Sequence, residues 1–158
     1  MKSYKKLGFS QEETKEVVET LNKLLANLQV HYQKLRNFHW NVEGKDFFEL
    51  HEQFEQEYDA VKLRIDEVAE RIRVFGHKPL STMASYLEVA EIEEVGTDLS
   101  ATEMVKEVIA DYEILLSFMV DTITAAEEID DSATEDLITG YVKSTELRHW
   151  MFSAWIKN

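Results

Sequence analysis

Only one proline and five glycines interrupt the 158 residues of this chain, so there are few points at which a helix must stop. They fall at Gly8, Gly44, Gly76 to Pro79 and Gly96, with Gly140 alone inside a periodic stretch. Between these breaks apolar residues return every three or four positions. Val17, Leu21, Leu24, Leu28, Leu35 and Phe38 mark a first segment, and Phe47, Leu50, Phe54, Tyr58, Val61, Ile65, Val68, Ile72 and Phe75 a second. Val105, Val108, Tyr112, Leu115, Met119 and Ile123 mark a third; Leu137, Tyr141, Trp150 and Ile156 mark a fourth, less regular one. The chain must therefore be built from long helices, each burying one face.

Four capping-box patterns open these segments, a short polar residue followed three positions later by a carboxylate: Ser10/Glu13, Asp46/Glu49, Ser100/Glu103 and Ser132/Glu135. They predict helices over 10–39, 46–75, 100–128 and 132–156, in a single domain spanning 1–158 with a short N-terminal tail over 1–9. Brief links join the first to the second helix and the third to the fourth, which makes each pair antiparallel neighbours. The middle link, 76–99, is long, and the stretch after Ser81 with Met83, Tyr86 and Leu87 is suited to a short helix of its own. An all-α four-helix bundle with one long crossover carrying a short helix has ferritin-like connectivity.

The absence of cysteine excludes thiolate metal sites and disulfides, so any metal must be held by nitrogen and oxygen, and suits a reducing cytoplasm. The first nine residues lack the apolar stretch of a secretory signal, and no apolar run reaches the ~20 residues that span a bilayer. A formal net charge of −14 opposes broad contact with nucleic-acid phosphates and favours cations.

A di-iron site inside one bundle uses two Glu-x-x-His motifs. Only Glu146/His149 has that spacing, and alone it reads as a surface or packing pair. The second helix instead carries His51, Glu55, Asp66 and Glu70 at about 0°, 40°, 60° and 100° around its axis, on one polar stripe. His39 ends the first helix, across a short turn from the start of the second, where it can converge with His51. Imidazole with carboxylate suits iron. Yet His51 and Asp66 are separated by ~22 Å of helical rise, so one chain cannot close the site. A two-fold axis through the middle of the second helix would bring one subunit's His39 and His51 beside its partner's Asp66 and Glu70, making two identical centres per dimer. A plainer reading stands beside this one: a capping or core histidine and an ordinary solvated face. Against it, Asp66 and Glu70 are like charges one turn apart, a mildly unfavourable pair unless a cation relieves it.

The run Asn37-Phe38-His39-Trp40, then Gly44, Phe47-Phe48, Leu50-His51-Glu52, and Ile65-Asp66-Glu67-Val68-Ala69-Glu70-Arg71-Ile72 followed by Gly76 and Pro79, resembles the signature of Dps mini-ferritins. Leu24 to Asn27, Ser81-Thr82, Tyr86-Leu87 and His149-Trp150-Met151 extend the likeness over nearly the whole chain. The resemblance implies a hollow homododecamer built from two-fold dimers, with di-iron ferroxidase centres shared between subunits. It implies His39 and His51 from one subunit, Asp66 and Glu70 from its partner, and Glu55 as a further carboxylate. Glu52 and Glu55 would nucleate mineral, although Gln56 stands where an acid is often found; Trp40 would be a redox-active neighbour. Glu127, Asp131 and Asp136 would line ion-entry pores. The implied reaction is oxidation of ferrous iron by hydrogen peroxide, with dioxygen the other acceptor, and storage as ferric oxyhydroxide under oxidative stress.

Two other readings predict different behaviour. Some members of the family coat DNA through lysine-rich tails, but Lys2, Lys5 and Lys6 are the only candidates here, so DNA binding is expected to be weak or absent. A purely structural bundle would show no iron-dependent chemistry.

Overall fold

The computed structural model describes residues 8–157, and among them there are five helices and no strand. They are α1 (Lys15–Asn41), α2 (Phe47–Val74), α3 (Met83–Val89), α4 (Ala101–Glu127) and α5 (Ser132–Trp155). α1 packs against α2, α3 and α4, and α4 packs against α5. α3 is the short helix expected in the crossover.

Local chemistry explains where the helices begin, and not always as the capping patterns suggest. At Ser100 the box closes: the Ser100 hydroxyl accepts from the Glu103 amide, and the Ser100 amide donates to the Glu103 carboxylate at 2.8 Å. These bonds hold the Glu103 carboxyl below its usual range. Ser10 and Glu13 also exchange bonds, but they close a turn that leads into the helix, and α1 itself starts at Lys15. The Thr14 hydroxyl shares its proton between the carbonyls of Ser10 and Gln11, a local bond that competes with helical pairing. Asp46 precedes α2 without any side-chain cap, its backbone near the helical region instead of extended. Asp131, not Ser132, caps α5 by accepting from the Thr134 amide at 3.2 Å.

The predicted apolar faces of α1 and α2 are the core: Leu21, Leu24, Leu28, Leu35, Phe38, Phe54 and Ile72 are all fully buried. Trp150 departs from its expected place, 64% exposed on α5, while Ile138, Tyr141 and Phe152 turn inward. The apolar residues of α5 are spread around the helix, so periodicity alone did not reveal its buried side. Of the tail expected over 1–9, residues 1–7, including Lys2, Lys5 and Lys6, lie outside the described residues; Phe9 packs edge-on against Phe75.

One buried side chain pins the crossover. Asn27 Oδ1 accepts from the amides of Glu91 and Ile92 at 2.9 and 3.0 Å, while its Nδ2 donates to the Lys23 carbonyl. Replacing Asn27 with alanine strands two backbone donors near the core. The expected loss is about 2–4 kcal/mol of stability, read as a lower urea midpoint; an unchanged midpoint would show that water satisfies those amides.

Candidate metal centre

The turn between α1 and α2 brings His39 and His51 face to face, ring centroids 3.7 Å apart and 17° from parallel. Each ring bonds the other residue's backbone: His39 Nδ1–H donates to the His51 carbonyl and His51 Nδ1–H to the His39 carbonyl, both at 2.7 Å. A carbonyl can only accept, so both nitrogens must carry their proton. Each neutral ring is thereby held in the tautomer whose Nε2 presents a lone pair, the state a metal ligand requires. Phe47 stacks on His51 at 4.9 Å, and Tyr58 meets His39 edge-on at 5.3 Å, so the pair sits in an aromatic frame.

Glu55, one turn beyond His51, completes a three-residue set whose donor atoms lie within 4.8 Å of one another. His39 is 8% exposed, His51 half-buried and Glu55 open to solvent, so the set is accessible on the side of Glu55. It is the sole cluster with metal-ligand spacing among the described residues. Asp66 and Glu70 share the stripe but not the cluster: both lie far along α2, exposed, with no side-chain hydrogen bond or ion pair among the described residues. The fold therefore brings together His39, His51 and Glu55 and leaves Asp66 and Glu70 apart.

The other expected residues fare differently. Glu52 is exposed and accepts from the Gln56 amide at 3.3 Å, so the glutamine ties up one of its oxygens. Trp40 is 57% exposed, and the Arg36 guanidinium lies 4.9 Å from its ring. Glu127 and Asp136 are exposed. Asp131 is not free to line a pore: it is 2% exposed, caps α5, and pairs with Arg71 of α2 at 2.8 Å. Its neighbours in sequence are solvated acids, which hid its buried structural role. His149 meets Glu113 of α4, not Glu146.

Sequence reasoning missed the aromatic frame. Tyr58 lies seven positions after His51, two helical turns on and so on nearly the same face; that spacing was the available signal. It also missed Glu57, buried between Arg148 and the Tyr112 hydroxyl, whose proton it accepts. Burial and the adjacent Glu57 charge push the Tyr112 phenol well up.

Comparison with known proteins places these features in context. The sequence profile of the ferritin-like domain matches residues 18–158. A Bacillus anthracis protein named DNA protection during starvation protein 2 is 42% identical over 142 residues, covering 90% of this chain and 97% of its own. Among solved structures, the DPS protein of Vibrio cholerae O1 superposes with a TM-score of 0.93 at 35% identity, covering 99% of this chain and 98% of its own. That protein is described as a member of a broad superfamily of ferritin-like diiron-carboxylate proteins. A Dps protein from Bacillus brevis gives a TM-score of 0.89 at 39% identity, covering 92% of this chain and 97% of its own.

Proposed function

Because this chain belongs to the Dps proteins of the ferritin-like family, we propose that it is a ferroxidase that oxidises ferrous iron and stores the ferric product inside a hollow homododecamer. The observation that carries this reading is the locked pair of histidines, both presenting Nε2, with Glu55 beside them open to solvent. Three ligands on one side leave the other side of the ion open, and Asp66 and Glu70, carboxylates with no partner among the described residues, are what a second copy would supply. Related by a two-fold axis across α2, two chains exchange these carboxylates and close two centres.

Iron enters as substrate. Carboxylate-rich coordination favours the harder ferric ion and so assists electron loss. Two ferrous ions give one electron each to hydrogen peroxide, the O–O bond breaks, and hydrolysis with two waters yields two FeOOH units and four protons. Peroxide is thus reduced by a pair of electrons without release of hydroxyl radical. Glu52, on the exposed side of α2, is suited to nucleating the product, with Glu55 a further contributor, and Glu127 and Asp136 to drawing cations inward. Trp40, beside His39 in sequence, would supply a single electron when only one iron is bound. The family's association with DNA protection is read here as secondary to iron chemistry, since the charge of −14 opposes phosphate contact.

The test is to load the intact oligomer with ferrous iron without oxygen, add peroxide, and measure both ferric absorbance and iron retained after gel filtration. Rapid oxidation with iron co-eluting at the dodecamer's size is expected. Oxidation no faster than in buffer, or iron that does not co-elute, would refute the assignment. Tight DNA binding at physiological salt in a gel-shift assay would instead favour the DNA-coating role.

A further inference from the structure

The polar stripe of α2 holds a pair of charges that the metal centre does not use. Its acids, Glu52, Glu55, Asp59, Asp66 and Glu70, are all exposed. Two cations share that side of the helix. Arg73, at the far end, donates to the His77 carbonyl at 3.0 Å. Lys62, in the middle, is exposed and makes no side-chain hydrogen bond or ion pair among the described residues, and the same is true of Asp59. With His51 at 0°, Lys62 stands at about 20° and Asp59 at about 80° around the axis, so both lie within the stripe that runs from His51 to Glu70.

A two-fold axis gives these two residues a definite place. In an antiparallel pair of identical helices, a residue ahead of the axis faces the partner residue that lies equally far beyond it. For His51 to meet the partner's Asp66 and Glu70, the axis must cross α2 beside Asp59 and Ala60. Asp59 then meets its own copy, and two carboxylates facing each other repel. Lys62, less than one turn beyond the axis, faces the partner's Asp59. Symmetry repeats this contact, so two ammonium groups and two carboxylates surround the axis and their charges balance. A slip of one turn toward the C-terminus would set Asp59 against the partner's Asp66 and Lys62 against the partner's Leu63, putting a like-charge contact and an apolar one in place of the ion pair.

We propose that Lys62 and Asp59 form a reciprocal ionic lock across the two-fold axis, Lys62 of each chain pairing with the partner's Asp59, and that this lock holds two copies of the chain in the register that closes both metal centres. It rests on the shared-centre reading above and deepens it by naming what recognises the partner before metal arrives. The ligands themselves cannot do so: without an ion, Asp66 and Glu70 meet only neutral imidazoles and the like charge of Glu55. The opposite charges of Lys62 and Asp59 supply the attraction the empty centres lack.

The test uses the full chain, free of metal and with chelator present, so that iron contributes nothing to assembly. Lys62→Glu gathers four acids at the axis, and Asp59→Lys gathers four cations. Each is expected to raise the concentration at which the oligomer dissociates by roughly tenfold or more, read by sedimentation, because repulsion replaces attraction at two symmetric contacts. Circular dichroism should stay unchanged, since both side chains are exposed. Refolded together, the two variants set acids against cations. With one chain isotope-labelled, native mass spectrometry should then find heterodimers well above the half that random pairing gives, and dissociation should return toward that of the wild type. A wild-type chain that does not self-associate would sink the shared-centre reading and this inference with it. A wild-type oligomer alongside either variant dissociating at the wild-type concentration, or a mixture that pairs at random, would overturn the ionic lock alone. Should Lys62→Glu lose its helical signal, Lys62→Gln, which leaves Asp59 facing its own copy, is measured in its place and must weaken association in the same direction.

Discussion

Replacing Asp66 with alanine is expected to slow ferrous oxidation by roughly 100-fold or more while leaving the fold untouched. Loss of an outer-shell partner costs a metal site about 10–100-fold, and loss of a ligand should match or exceed the top of that range. The Asp66 side chain is exposed on α2 and bonds nothing among the described residues, so its removal should shift stability by no more than ~0.5 kcal/mol. Stopped-flow ferric absorbance reads the first effect and a thermal melt the second. His39→Ala should be equally inactive but less innocent. The sequence places His39 outside the apolar seam, from which an intact fold would be expected, whereas the structure shows it buried and donating to the His51 carbonyl. Its loss removes that hydrogen bond and the buried ring's contacts with His51 and Tyr58 and should cost about 1–3 kcal/mol as well. An Asp66→Ala protein that oxidises iron at the wild-type rate would remove Asp66 from the centre.

Mixing two inactive variants should restore activity. One chain carries His39→Ala and His51→Ala, the other Asp66→Ala and Glu70→Ala. When they pair across a two-fold axis, the damaged histidines face the damaged carboxylates, so all the harm collects in one centre. The opposite centre combines intact histidines of the second chain with intact carboxylates of the first. Up to about half the centres of each heterodimer should then work, although either variant alone is silent. A site built within one chain predicts no recovery, because every chain is damaged. The variants are refolded together, mixed assembly is verified by mass spectrometry, and oxidation is followed; confirmed mixed oligomers without activity would eliminate the shared site.

The long helices, their apolar faces on α1 and α2, and the short helix after Ser81 were legible because each is a local property. Spacing of apolar residues along fifteen or more positions averages over individual exceptions. Helix starts were less legible. The same short polar residue that can cap a helix can also close a turn ahead of it, as Ser10 does, or be displaced by the residue before it, as Ser132 is by Asp131. The stripe of His51, Glu55, Asp66 and Glu70 was likewise readable, as was the ~22 Å between its two ends, since both follow from the rise and turn of one helix.

By itself, then, the sequence determined the helices, the polar stripe, and the distance between the stripe's two ends, because all three follow from the repeat of one helix. Only the tertiary structure decided which acids are free and which are spent: Glu55 stands open beside the histidines, while Asp131 is withdrawn onto Arg71 and Asp111 onto His31 and Lys34. It also decided which ring nitrogen of each paired histidine carries a proton, since the reciprocal bonds from His39 and His51 to each other's backbone exist only when α1 and α2 are folded together. The reason is physical. A carboxylate's or imidazole's chemistry depends on what lies within a few ångströms, and residues 60 to 80 positions distant in the chain provide those neighbours.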